Sequence, residues 1–169
     1  APADLLYKPF HRILESRAYL ASTLMVTPSQ ASKEVLHARY GVPSDGIRVV
    51  PWGVDLARFA PGHPPPSEDL RILFVGPHEP RKGLVFLLDA LALLKKEGVR
   101  ARLTTVGRGT QLPELRRKAL NLGISEAIDF LGYLEDPEDT ALRRLYRESD
   151  VFVLPSLQEG FGFVLVEAM

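Results

Sequence analysis

The chain has 169 residues, 46% hydrophobic and 25% charged, which sets the expectation of about one ordinary globular domain with a single sizeable core. Its 21 basic residues balance 21 acidic ones, so no global field would recruit nucleic acid or an anionic membrane. It has no cysteine, which excludes disulfide scaffolds, thiolate zinc sites and cysteine nucleophiles.

The longest apolar stretch, Leu84 to Leu94, is interrupted by Asp89 and is about half the ~20 residues a membrane-crossing helix needs. Ala1 to Phe10 lacks the basic-then-apolar run of a secretory signal. The chain starts without Met and stops at Met169 inside an apolar run, so it is expected to be a piece of a longer protein.

In chain order, Lys8 to Ala21 carries apolar residues at helical spacing, with Phe10, Ile13, Leu14, Tyr19 and Leu20 among them. Thr23 to Thr27 is a short apolar strand. A helix through Val35, Leu36 and Tyr40 follows, capped by Ser29 to Ser32 at its start and by Gly41 at its end. Ile47 to Pro51 reads as a second strand. The segment from Ala60 to Ser67 holds four prolines and a glycine, and proline fixes φ and removes a donor. It is expected to be a stiff linker, placing a domain boundary at residues 61–69 between parts spanning 1–60 and 70–169.

A regular rhythm starts at Arg71. Strands are expected at Arg71 to Gly76, Ala101 to Gly107, Ala127 to Gly132 and Val151 to Pro155. Helices are expected at Lys82 to Gly98, Leu112 to Gly123, Asp136 to Ser149 and from Gly162 onward. Strands alternating with helices make βαβ units, hence an α/β fold with a parallel sheet covered on both faces.

Ligands of such sheets bind at the carboxyl ends of the strands. Four glycine-bearing loops qualify: Gly76 to Gly83, Gly107 to Gln111, Gly132 to Pro137, and Pro155 to Gly162. Each leads into a helix start, where free N–H groups and a partial positive charge suit phosphate. In the first loop Arg81 and Lys82 stand at a helix start, where the dipole disfavours cations. A bound anion would reverse that penalty; the plainer reading is two basic side chains reaching water. The second loop is a strand followed by Gly107-x-Gly109, the basis of a rival reading as an NAD or FAD oxidoreductase. Leu112 takes the place of that fingerprint's third glycine, and Glu126 stands near the expected acidic position.

The last loop sets Glu159 before Gly160-Phe161-Gly162 and Glu167 eight positions later, within a run otherwise made of Phe163, Val164, Leu165, Val166, Ala168 and Met169. A carboxylate in such a run needs a partner or ligand, and carboxylates are good acceptors for paired sugar or ribose hydroxyls. A lone glutamate is by default simply exposed. His11, His37, His63 and His78 are not spaced for a metal; His78 alone lies in a ligand loop, read as a loop side chain. Neither a Ser–His–Asp arrangement nor a Walker-type lysine loop is present.

Several segments resemble the family 4 retaining glycosyltransferases of the GT-B fold: Glu159-Gly-Phe-Gly-x4-Glu167-Ala-Met, Pro51-x-Gly-Val-Asp55-x3-Phe59, Val75-Gly-x4-Arg-Lys-Gly83, and Phe130-Leu-Gly132. The resemblance, from about Thr23 to Met169, implies two Rossmann-like domains, here incomplete at both ends, with the nucleotide sugar held mainly by the second. It implies a hexosyltransferase that is complete only as the full-length protein. The donor is a UDP-, GDP- or ADP-hexose, and the anomeric configuration is retained without cofactor or metal. Lys82 would stabilise the departing diphosphate, Glu159 would accept from donor-sugar hydroxyls, and Glu167 from the ribose. Gly76 and Arg81 would add to the phosphate site, as would backbone N–H groups from Gly160, Phe161, Gly162 and Phe163. Leu134 would cover the base, with Gly107 and Gly109 giving it room. Pro77 stands where the family often has a second basic residue, and Trp52 where asparagine is common. Glu79 to Gly83 is similar to mannosyltransferases acting on phosphatidylinositol. The acceptor, a sugar, lipid or small molecule, lies outside these motifs, with nucleic acid excluded. A cytoplasmic location follows, with peripheral membrane contact allowed through the N-terminal domain. A non-catalytic α/β interaction module is the third reading, favoured if a folded complete chain binds no nucleotide.

Overall fold

The structure is a computed structural model that describes residues 13–62, 64–135 and 140–169. His11, His63, the helix start at Lys8 to Phe10 and the expected helix start at Asp136 lie outside the described residues. The chain divides into two compact units, Ala1–Gly53 and Val54–Met169, each described by itself.

In the first unit, residues 13–20 are helical (α1). Strand β1 (Met25–Thr27), helix α2 (Gln30–Tyr40) and strand β2 (Ile47–Val49) follow. The strands pair in parallel, Met25 opposite Ile47 and Thr27 opposite Val49, so α2 is their crossover. Its start is set by Ser29, whose Oγ accepts from the Ser32 N–H at 3.1 Å. Its end is set by Gly41 in the left-handed conformation, with Gly41 N–H donating to His37 O and Val42 N–H to Leu36 O. Both caps stand where the sequence put them. The strands are shorter than expected at their outer ends.

The second unit begins at Val54, ahead of the proline-rich segment. Residues 54–60 cluster with it, and Phe59 packs edge-on against Tyr146 with ring centroids 5.9 Å apart. Its elements are β3 (Leu70–Val75), α3 (Leu84–Lys96), β4 (Ala101–Val106), α4 (Leu112–Asn121), β5 (Ile128–Gly132), α5 (Thr140–Glu148), β6 (Val151–Phe152) and α6 (Phe163–Ala168). The four strands form one parallel sheet in the order β5-β4-β3-β6. The order changes direction at β3, so its carboxyl end opens the crevice where such sheets take ligands.

The alternation within β3 explains why Ile72 to Val75 is apolar throughout. Ile72 and Phe74 face α3 and α4, in a cluster with Leu84, Leu87, Leu88, Leu91, Leu103 and Leu115. Leu73 and Val75 face the other way, in a cluster with Leu142, Leu145, Tyr146, Phe152 and Val164. Both faces are therefore covered, and a doubly covered strand has no polar side to show.

Strand β6 is shorter than the expected Val151 to Pro155, and its start is fixed by a side chain. Asp150 accepts from the Arg71 backbone N–H at 2.8 Å, from Nε at 3.0 Å and from Nη2 at 2.9 Å. The guanidinium and N–H bonds hold the Asp150 carboxyl below its ordinary range.

Leu88 is fully buried at the centre of the larger cluster. Leu88→Ala is expected to cost about 2–5 kcal/mol, measured as a lowered urea midpoint with an unchanged slope.

Candidate functional site

The carboxyl end of β3 runs into the loop carrying the basic residues, and here the structure corrects the expected helix start. Pro80–Lys82 is a single 3-10 turn, Gly83 follows in the left-handed conformation at φ +68°, and α3 starts only at Leu84. Arg81 and Lys82 thus precede the helix, and the dipole penalty expected of them does not apply in that form. Arg81 turns back to Glu79, Nε to Oε2 2.9 Å, and is about half exposed. Lys82 turns inward: its side chain is 10% exposed and its Nζ donates to Glu159 Oε2 at 2.6 Å.

That pair spans two loops interlocked through their backbones. Leu157 N–H donates to Arg81 O at 2.8 Å. A Cβ at Gly83 would lie 1.9 Å from Pro155 O, so only glycine lets the chain after β3 pass this close to the chain after β6. Glu159 also accepts from the Ser156 hydroxyl at 3.1 Å and from the Gly160 N–H at 3.1 Å. Burial pushes its carboxyl up, but the Lys82 ammonium and these two donors outweigh it and leave it below its ordinary range.

Glu167, on α6, has the partner that its apolar run demanded. Tyr146 of α5 donates its hydroxyl to Glu167 Oε2 at 2.7 Å. Burial, then the bond to Glu167 and its charge, push the Tyr146 phenol far up, so it remains a donor. Gly162 caps α6 in the left-handed conformation, with Phe163 as the first helical residue and Phe161 half-buried ahead of it. Neither Tyr146 nor Ser156 stood out in the sequence. The sequence carries no sign that either would face a carboxylate.

Beside the first loop, at the carboxyl ends of β3, β4 and β5, lies a mainly apolar cleft of about 400 Å³. Pro77, Gly107, Leu134 and Leu142 line it, with Gly76 and Arg108. Pro77, in place of a basic residue, is thus part of an apolar wall. At the rim the Arg108 guanidinium lies over the Tyr133 ring, 5.6 Å from its centroid.

Gly107, which lines the cleft, and Gly109 also let the neighbouring loop come close. A Cβ on Gly107 would meet Gly76 O at 2.0 Å, and one on Gly109 would meet His78 O at 2.2 Å. The space each glycine leaves is filled by the neighbouring loop. Gln111 N–H donates to His78 O and Leu112 N–H to Gly109 O, and Pro113 has no N–H to give. Two N–H groups at the start of α4 are therefore engaged and a third is missing, which weakens the dinucleotide reading.

His78, expected as an ordinary loop side chain, is instead fully buried. Its ring sits between Phe74 and Phe130, 6.1 Å from each centroid. Neither ring nitrogen has a hydrogen-bond partner among the described residues; Thr105 Oγ1 and Gln111 Oε1 are likewise unpaired. Among the described residues no group of three or more His, Asp or Glu side chains is placed to hold a metal, and no helix is long and apolar enough to cross a membrane.

With this geometry in place, the comparisons with known proteins are specific. Residues 57–169 match the family model of the group 1 glycosyltransferases, and residues 2–58 that of glycosyltransferase family 4. The chain belongs to the group 1 glycosyltransferases, and its fold is GT-B. It is 34% identical to a D-inositol 3-phosphate glycosyltransferase of Acidothermus cellulolyticus, over 95% of this chain and 39% of that protein. It is 30% identical to an uncharacterized glycosyltransferase of Methanocaldococcus jannaschii, over 97% of this chain and 45% of that one. Among solved structures, Anabaena HepE in complex with UDP-glucose superposes with a TM-score of 0.78 at 22% identity, over 93% of this chain and 45% of HepE. The chain thus spans less than half the length of each of these relatives.

Burial lowers the His78 pKa from its ordinary 6.5. The neutral ring's contribution to stability is therefore complete above about pH 6.5 and is lost as the pH falls below that value. In thermal melts between pH 7.5 and 5, the wild type should lose more stability than His78→Leu. Parallel losses in both would refute the burial of a neutral ring.

Proposed function

We propose that the protein transfers a hexose from a nucleoside-diphosphate sugar to an acceptor hydroxyl, with retention of the anomeric configuration. The observation that carries this reading is the buried Lys82 ammonium, paired with the partly exposed Glu159 beside an apolar cleft at the carboxyl end of β3. An ammonium that is 10% exposed and carried on a turn suits a diphosphate. A carboxylate next to it suits sugar hydroxyls, and the cleft between Pro77 and Leu134 suits a flat, weakly polar base.

In the reaction, the bond from the sugar's anomeric carbon to the diphosphate oxygen breaks, and its electron pair leaves with the nucleoside diphosphate. A bond forms from that carbon to the acceptor oxygen on the same face, and the acceptor proton passes to the departing phosphate. Lys82 would hold the charge that develops on the leaving group, the largest electrostatic demand of the step. Glu167, oriented by Tyr146, would accept from the ribose. HepE was solved with UDP-glucose, which supports a nucleotide sugar as donor. The name of the Acidothermus relative supports a small polyol acceptor; mannose as the transferred sugar rests on the resemblance of Glu79 to Gly83 alone.

Calorimetric titration with UDP, GDP, ADP and NAD tests the reading. One nucleoside diphosphate should saturate the protein, and Lys82→Ala should weaken it by about 10- to 100-fold, the worth of a charge-assisted hydrogen bond. Binding of NAD alone, or a diphosphate bound equally well by Lys82→Ala, would overturn it.

A further inference from the structure

Lys82 and Glu159 form an ion pair at 2.6 Å. If a diphosphate draws away the N–H that Lys82 gives to Glu159, as the proposed function allows, the ammonium turns from a carboxylate to a phosphate. Glu159 then loses its strongest donor while keeping only Ser156 and the Gly160 N–H. It also stands beside a new anion, with its side chain 28% exposed. A bare nucleoside diphosphate brings nothing to offset that loss. A nucleotide sugar does, because its hydroxyls are donors that can replace the ammonium on the carboxylate.

We propose that Glu159 is a specificity-determining residue that disfavours the product nucleoside diphosphate relative to the intact nucleotide sugar, by holding Lys82 until sugar hydroxyls take its place. The geometry suits an exchange of partners. The two loops are fixed to each other by their backbones, through Arg81 O and through the approach of Gly83 to Pro155. Only the side-chain ends need to move. The pair links residues 77 positions apart in the chain. The consequence for turnover is product release: once the sugar has left, Glu159 competes again for Lys82 and expels the diphosphate.

This inference rests on the proposed function, and the test separates the two. Wild type and Glu159→Gln are titrated by calorimetry with whichever of UDP, GDP and ADP the wild type binds, and with the glucose and mannose conjugates of that diphosphate. Glu159→Gln should bind the bare diphosphate about two- to fivefold more tightly, the range for releasing a partly exposed ion pair. It should bind the conjugates no better than wild type, so that the preference for the sugar-bearing form collapses. A diphosphate affinity in Glu159→Gln that is unchanged or weaker overturns the inference while leaving the donor site standing. Failure of all three diphosphates to bind wild type overturns both. A second readout needs no variant: in wild type, the carboxyl carbon-13 resonance of Glu159 should titrate at higher pH with diphosphate bound than without ligand. An unmoved Glu159 titration in the diphosphate complex overturns the inference.

Discussion

The structure around the crevice depends on one close approach. At Gly83 the chain leaving β3 passes so near Pro155 O that a Cβ would lie 1.9 Å from it. The Arg81 carbonyl accepts from Leu157 across the same seam. Everything chemical in the second unit follows from this docking. Lys82 turns inward because the turn before Gly83 aims it there, and Glu159 meets it because the loop after β6 is pinned alongside. The sheet order supplies the reason that these two loops are neighbours, since β6 lies against β3 and β3 is where the order reverses.

The same economy governs the loop after β4. Its two glycines take up the backbone of the first loop at Gly76 and His78, so three loops form one packed layer above the sheet. Beneath it His78 is enclosed by Phe74 and Phe130. A polar ring without partners at that depth is costly, which makes this layer the place where acid should act first. The apolar cleft lies at the edge of the layer, where Pro77 and Leu134 leave room that no side chain fills.

Much of the fold was legible because its signals were local. The apolar run from Ile72 to Val75 in β3 announced burial on both faces, and Ser29 and Gly41 announced both ends of α2. Where the reading slipped, a distant partner was responsible. Gly83 looked like one residue within a helix; its left-handed turn is required by Pro155, far along the chain. Strand β6 has only two ladder residues, and the Asp150–Arg71 bonds that fix its start join residues far apart in the chain. Of the site, the residue types at Lys82, Glu159 and Glu167 were visible as charges in improbable surroundings. Their pairing was not: no spacing rule joins Lys82 to Glu159, or says that Tyr146 would be the donor that satisfies Glu167. His78 was hidden for the opposite reason, since a polar loop residue carries no sign that it will be buried.

The central claim is that Lys82 is the cation of a diphosphate site at the carboxyl end of β3. The most direct measurement is a crystal structure with the nucleoside diphosphate that binds most tightly. The account predicts phosphate oxygens within hydrogen-bond distance of Lys82 Nζ, with the base in the cleft between Pro77 and Leu134. A diphosphate bound elsewhere, with Lys82 still donating to Glu159, would contradict it.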